Sequence, residues 1–291
     1  MTSTFSPFRT VPRLEVQRAG IITKLDDTEA ARYAARLQDW LAAKGIRTVL
    51  NAIDEDLDIL IVLGGDGTLL HIAEKAALQA IPVVGINLGS LGFLTEFTEM
   101  ETEKALERIL SGPVTIENRL MLQARLISDG RTNGHRYALN DVVINKNAQD
   151  RLLNLATRAD HDSITTYKAD GLIFSSPTGS TAYNLSAGGP LVHPGLAAIL
   201  VTPICPFMLG SRPIILPADR IITTGFAKGS NTEMAQIIID GQPAWDLRKD
   251  DLLEVKAAAY PLQLITSSRR DYFSVLRTKL HWGYQENTSK D

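Results

Sequence analysis

Ile59-Leu-Ile-Val-Leu-Gly-Gly-Asp-Gly-Thr68 is the stretch on which the reading of the fold turns. Five consecutive apolar residues with no polar alternation describe a strand covered on both faces, which is the situation inside a parallel sheet. The glycine turn that follows opens a helical segment, Leu69 to Ala80, and a second apolar run, Ile81-Pro-Val-Val-Gly-Ile86, comes directly after it. Strand, helix and strand in this order indicate a doubly wound α/β unit. The pattern extends outward on both sides. Upstream lie a short strand over 19–23, an amphipathic helix with Ala30, Ala34, Leu37, Leu41 and Ala42 on its apolar stripe, and a strand over 47–50. Downstream, Glu101 to Leu110 reads as a helix.

The periodicity changes at Ser111-Gly112-Pro113. From Val114 onward apolar and polar residues alternate in short stretches, such as Met121 to Ile127 and Ala138 to Ile144. Turn pairs separate them, among them Asp129-Gly130, Asn133-Gly134, Gly188-Gly189 and Asp240-Gly241. The tail, Asp271 to Trp282, is helical again, with Tyr272, Phe273, Leu276 and Leu280 on one stripe. The expected organisation is an α/β domain over 1–113, a β-rich domain over 114–264 and a C-terminal segment over 265–291. A chain of 291 residues suits two cores better than one.

Composition narrows the function. Thirty Lys and Arg against thirty-three Asp and Glu give a net charge of −3, which argues against electrostatic capture of nucleic acid or an anionic membrane. A single cysteine, Cys205, allows neither an internal disulfide nor a cysteine zinc cage. Residues 1–13 lack the apolar core of a signal peptide, and no window approaches a membrane span, so a cytoplasmic location is expected.

Gly64-Gly65-Asp66-Gly67-Thr68 occupies the crevice position at which α/β sheets take ligands. Its glycines let the backbone approach a ligand, and the N–H groups of the helix start receive phosphate oxygens. The spacing is neither the dinucleotide fingerprint nor a P-loop. Asp66 is the telling residue. A carboxylate among phosphate-binding glycines repels phosphate unless it contacts a metal or takes a proton from a nucleophile, and both roles belong to phosphoryl transfer. The competing reading, that Asp66 caps the helix and the glycines only make the turn, leaves three glycines around one cap unexplained. The motif alone is shared by sugar and lipid kinases.

A second constellation runs from Lys168-Ala-Asp-Gly171 through an apolar strand to Pro177-Thr-Gly-Ser-Thr-Ala-Tyr183 and on through Asn184-Leu-Ser186. Small and hydroxyl side chains admit a planar base or a ribose closely, or they make a tight surface connection. Asn140-Asp141 and Asp240-Gly-Gln242 read, from pattern alone, as turns.

Together these stretches resemble the NAD kinase family, as do Asn87 to Leu94 and the end from Asp271 to Trp282. The resemblance covers nearly the whole chain. It implies an N-terminal doubly wound α/β domain, a C-terminal β-sandwich and a last segment packed on the first domain. It also implies an enzyme that phosphorylates NAD on the adenosine 2′-hydroxyl with ATP, accompanied by Mg²⁺ or another divalent cation. No protein cage for the metal is visible in the sequence, which leaves the phosphates to hold it. By the same resemblance Asp66 accepts the proton, Gly67 admits the diphosphate and His71 faces the same ligand, although on sequence alone a helix-surface histidine is the better reading of His71. Asn140, Asp141, Asp170, Thr178 and the loop Thr181, Ala182, Tyr183, Asn184, Leu185 and Ser186 are implied to contact the adenosine part. Arg151 and Lys168 match cationic positions, where solvated surface charges also fit, and Gln242 is carried by the Asp-Gly-Gln match. A homo-oligomer, dimer or tetramer, is implied as well. Asp141 departs from the family's usual Glu, and Phe207 stands where the family has His. A lipid or diacylglycerol kinase and a non-catalytic dinucleotide sensor are the alternatives.

Overall fold

The structure is a computed structural model, and it describes residues 6–24, 27–89, 92–147, 151–230, 232–267 and 272–281. The chain divides into two compact units. One comprises Phe8–Glu117 and Gln263–Asp291, the other Met1–Pro7 and Asn118–Leu262.

The first unit is α/β. Its eight-stranded sheet has the order Phe8–Val11, Val114–Arg119, Leu262–Thr266, Val83–Asn87, Ile59–Leu63, Arg18–Thr23 and Arg47–Leu50, with Phe97–Thr98 paired to Val83–Asn87. The centre is parallel, and every residue of Ile59–Leu63 and Val83–Asn87 is buried, as unbroken apolar runs require. Helices Thr28–Ala43 and Thr102–Ser111 bury Leu37, Leu41, Leu106 and Ile109 in one cluster with Ile59, Ile61, Val84 and Ile86. Asp27 caps the first helix by accepting from the Glu29 and Ala30 amides.

The helix expected over 69–80 instead spans Asp66–Leu78. Extended Gly65 lets it begin at Asp66, and Ala80, at φ 53°, ends it by turning into the left-handed region. Alternation assigns Val114–Arg119 to the β-rich domain, as its first strand. The strand instead joins the α/β sheet beside Phe8–Val11, because Val114 and Ile116 fill that unit's core. The unit boundaries therefore fall at 117/118 and 262/263 rather than at 113/114 and 264/265. The C-terminal helix spans Tyr272–Leu280, while Asp271 and Trp282 lie outside the described residues.

The second unit is a β-sandwich. A seven-stranded sheet and a six-stranded sheet, antiparallel in every pairing among the described residues, contribute to one core. Leu122, Leu155 and Val255 come from one sheet, Val142, Phe174 and Ile237 from the other. The stretch 138–144, continuous by its pattern, breaks into Arg136–Ala138 and Asp141–Asn145. Leu139 and Asn140, in the break, turn their amides to the Asp240 carboxylate instead of to a neighbouring strand. Among the described residues no helix is long and apolar enough to cross a membrane.

Candidate functional site

In the α/β unit the strand Ile59–Leu63 delivers Gly64, whose amide donates to Ile86 O (2.9 Å) and keeps the turn on the sheet's end. Asp66 follows as the first residue of its helix. It is not the cap of that helix: Gly65 holds the cap position and has no side chain to cap with. Both Asp66 carboxylate oxygens point to another segment, accepting from Phe93 N (2.8 Å) and Leu94 N (3.0 Å). Gly92 lies against the same carboxylate so closely that a Cβ there would overlap it. That segment is fixed in turn by Thr95, whose hydroxyl accepts from Gly92 N and from Asn87 Nδ2, both at 3.0 Å. Asn87 and Thr95 are both buried, and Asn87 Oδ1 also accepts from Gly89 N at 2.7 Å. Ser90 and Leu91, within the motif that begins at Asn87, lie outside the described residues.

Gly65 and Gly67 have a different character. Neither has a positive φ, and a Cβ on either would meet nothing within 4 Å. Their lack of a side chain is thus not required by the fold, and it leaves the backbone beside Asp66 open to a partner outside the chain. His71 is exposed on the same helix.

In the β unit, Asn140 and Asp141 form the corner that enters Asp141–Asn145. Asp240 Oδ2 accepts from Leu139 N (2.7 Å), and Asp240 Oδ1 from Asn140 N (2.8 Å) and Asp141 N (3.0 Å). Asp240 itself, at φ 45°, heads the turn Asp240-Gly241 and donates its amide to Asp141 O at 3.0 Å. The small-residue loop locks onto this corner from the other strand. Ser176 N and Ser175 Oγ donate to Asn140 O, Ser176 Oγ donates to Leu139 O, and Gly179 lies on the Asn140 backbone, where a Cβ has no room. The loop continues as a 3₁₀ turn, Thr178–Thr181, and a single helical turn, Tyr183–Ser186.

Burial and the charge of Asp240, in that order, push the Asp141 carboxyl up to about 7. Tyr183 is partly exposed, and its hydroxyl is raised chiefly by burial, then by Cys205, Asp141 and Asp170, which places all three close to it. Asp170 pairs with Lys146 Nζ at 3.2 Å. The Thr178 hydroxyl is buried with no hydrogen-bond partner among the described residues. The corner therefore gathers Asn140, Asp141, Thr178 and Tyr183, with Asp170 nearby. Asn184 serves the loop itself, since its side-chain amide accepts from Thr202 Oγ1 (2.7 Å) and donates to Ser180 O and Pro190 O. Thr181 donates to Thr178 O (3.2 Å), Ala182 and Leu185 are half-buried, and Ser186 is exposed. Lys168 is exposed on Asp162–Ala169, its ammonium 4.5 Å from the centre of the Phe207 ring. Arg151 and Gln242 are exposed too, outside the hydrogen bonds that build the corner.

Residues 43–114 match the ATP-NAD kinase N-terminal domain, and residues 139–267 match the ATP-NAD kinase C-terminal domain. The chain belongs to the NAD kinase family. The NAD kinases of Geotalea daltonii and Geobacter sulfurreducens are 40% and 41% identical to it, each alignment covering 92% of this chain and 99% of the relative. Among solved structures, yeast NADH kinase complexed with NADH superposes with a TM-score of 0.87 at 26% identity, over 95% of this chain and 90% of that one. An NAD kinase from Archaeoglobus fulgidus in complex with ATP gives 0.72 at 26% identity, over 91% and 98%. Family membership makes the two carboxylate corners the places to seek chemistry. Asp240 and the stretch Asn87–Leu94 carry the resemblance in the sequence, but no role for Asp240, Asn87, Gly92 or Thr95 can be read from it. Asp240 is concealed because Asp-Gly is already a sufficient hairpin signal, and the others because their role depends on a contact made across 27 residues, between Asp66 and Phe93.

Proposed function

We propose that this chain transfers the γ-phosphate of ATP to the 2′-hydroxyl of the adenosine ribose of NAD, with Asp66 as the proton acceptor. The observation that carries the reading is the Asp66 corner. A carboxylate fixed by two amides stands at the head of an uncapped helix, beside glycines whose missing side chains nothing in the chain requires. Two charge-assisted bonds hold the carboxylate in one orientation, and each oxygen keeps a further lone pair for a hydroxyl.

In the reaction the ribose oxygen forms a bond to the γ-phosphorus, the bond from that phosphorus to the β,γ-bridging oxygen breaks, and ADP leaves. The hydroxyl proton passes to Asp66. A loose transition state demands positioning more than basicity, so an orienting carboxylate suffices. Uncapped helix amides next to Gly67 are suited to phosphate oxygens. Among the described residues no group of three or more His, Cys, Asp or Glu side chains could hold a metal ion. In this reading Mg²⁺ enters as part of the MgATP substrate, held by its phosphates.

The β unit supplies the nucleoside contacts in this proposal. Asn140, Asp141, Asp170, Thr178 and the loop 181–186 take the adenosine, the buried Thr178 hydroxyl, without a partner among the described residues, being a ready donor or acceptor. Lys168, Arg151, Gln242 and His71 are placed around the ligand by family resemblance alone. A cytoplasmic homo-oligomer belongs to the same reading; the exposed run Phe207-Met208-Leu209 offers apolar surface for assembly, which light scattering would test. Incubation with NAD, ATP and Mg²⁺ is expected to yield NADP and ADP in equal amounts. A chain that bound NAD but formed no NADP would be a sensor instead.

A further inference from the structure

We infer that Asp240 is a positioning residue of the nucleoside site: by collecting three successive main-chain amides it fixes the Asn140–Asp141 corner, in which a bound sugar and a proton compete for the buried Asp141 carboxylate. The inference rests on the proposed function, in which Asp141 contacts the adenosine, and adds that it does so through the ribose hydroxyls.

The starting point is a mismatch between what the turn needs and what it has. Ile239 pairs with Gln242, and Asp240 and Gly241 form the two-residue connection with φ of 45° and 80°. Such a turn accepts Asn or Gly at its first position equally well. The carboxylate is required by something else. Its two oxygens receive Leu139, Asn140 and Asp141 N–H at 2.7, 2.8 and 3.0 Å, a set that an asparagine with one acceptor oxygen cannot fully satisfy. The Asp240 carboxylate is thereby held against the start of Asp141–Asn145, where its charge acts on Asp141.

Asp141 carries the consequence. It is 5% exposed, and burial followed by the Asp240 charge raises its carboxyl to about 7. The neighbouring titratable groups offer no relief: Tyr183 is a neutral phenol there, and the Asp170 carboxylate is already paired with Lys146. Ribose hydroxyls donate most strongly to an ionised carboxylate. Protonated Asp141 has lost acceptor capacity, so a bound sugar and a proton compete for it. The KM for NAD is expected to fall by up to about tenfold per pH unit as pH rises toward about 7 and to level off above it. The maximal rate, governed by Asp66, does not share that break.

The test is the pH dependence of kcat and of KM for NAD at saturating MgATP, from about pH 5.5 to about pH 8.5, in the wild type and three variants. Wild type is expected to show the break in KM and not in kcat. Asp141→Asn is expected to have a raised KM that no longer varies with pH. Asp240→Asn and Asp141→Glu are each expected to move the break to lower pH, the first by removing the charge and the second by carrying the carboxylate one methylene away from it. A wild-type KM that is flat while NADP is formed overturns the inference and leaves the proposed function standing. A break that stays in place in Asp141→Glu overturns it as well, and this variant keeps all three amide bonds should Asp240→Asn fail to fold. A wild type that forms no NADP at any pH would instead remove the proposed function itself, and the inference with it.

Discussion

The Asp66 corner of the α/β unit and the Asn140–Asp141 corner of the β unit are built on one device. In each, a carboxylate collects adjacent main-chain amides from a segment distant in sequence: Phe93 and Leu94 in the first, Leu139, Asn140 and Asp141 in the second. Each corner also has a glycine pressed against it, Gly92 on the Asp66 carboxylate and Gly179 on the Asn140 backbone. The difference lies in how the roles are shared. Asp66 is both the anchor and the group proposed to react, whereas Asp240 anchors and Asp141 is the group proposed to meet the ligand. Where one residue has both roles, its loss removes chemistry and order together. Where they are divided, the anchor can tune its neighbour without touching substrate.

The largest effect that can break this comparison is expected from Asp66→Asn. The amide keeps the shape but cannot accept the hydroxyl proton, and it loses one of two acceptors for Phe93 and Leu94. The kcat for NADP formation should fall by about 10³-fold, the middle of the range for loss of a general base, with KM for NAD changed by no more than about threefold. Full activity in this variant would show that Asp66 only holds the segment, making it the counterpart of Asp240.

Next come the two glycines, which should separate by kinetic parameter. Gly92→Ala drives a methyl group into the Asp66 carboxylate, so kcat is expected to drop by about 10²-fold, the scale of a misplacement near 1 Å. Gly179→Ala collides with the Asn140 backbone and is expected to raise the KM for NAD by about tenfold or more while kcat changes little. If both variants lost kcat alone, the division of labour between the corners would be wrong. A smaller, graded effect follows from Thr95→Val. It removes the hydroxyl that accepts from Gly92 N–H and Asn87 Nδ2 in a buried place, costing about 1–3 kcal/mol of stability, and kcat should fall by about tenfold as the Asp66 loop loosens. Thr95→Ser keeps the hydroxyl and should restore both.

Most of the architecture is legible in the sequence because its signals are local. Ile59–Leu63 is apolar at every position and buried at every position, and the pairs Asp129-Gly130 and Asp240-Gly241 turn where Asp-Gly pairs turn. The failures are equally physical. Val114–Arg119 alternates as a sandwich strand would, yet sheet membership depends on which core its Val114 and Ile116 fill, and alternation does not encode that. The strand break at Leu139-Asn140 is announced in the sequence only by Asn140-Asp141, which reads as a plain turn; that the Asp240 carboxylate holds it from 100 positions away is not written there. The site divides along the same line. Asp66 and its glycines can be read as chemistry from spacing alone. The β-unit residues need the family resemblance, because a corner assembled by long-range bonds looks like an ordinary turn in sequence.

The smallest expected effect concerns a departure from the family within the β unit. Phe207 stands where the family has His, and its ring lies 4.5 Å from the Lys168 ammonium, while Phe207 N donates to Lys168 O at 2.8 Å. The backbone bond survives any side-chain change, so a substitution here isolates the ring. An exposed cation–π contact contributes about 0.5–1 kcal/mol, which corresponds to about a two- to fivefold change in KM if Lys168 attends the nucleotide. Phe207→Ala and Lys168→Ala are each expected to raise the KM for NAD by that factor with kcat unaltered. The double variant should be no worse than Lys168→Ala alone, since the ring acts only through the lysine. Additive losses would mean that Phe207 meets the ligand directly, and the β unit would then have a third contact independent of its carboxylate corner.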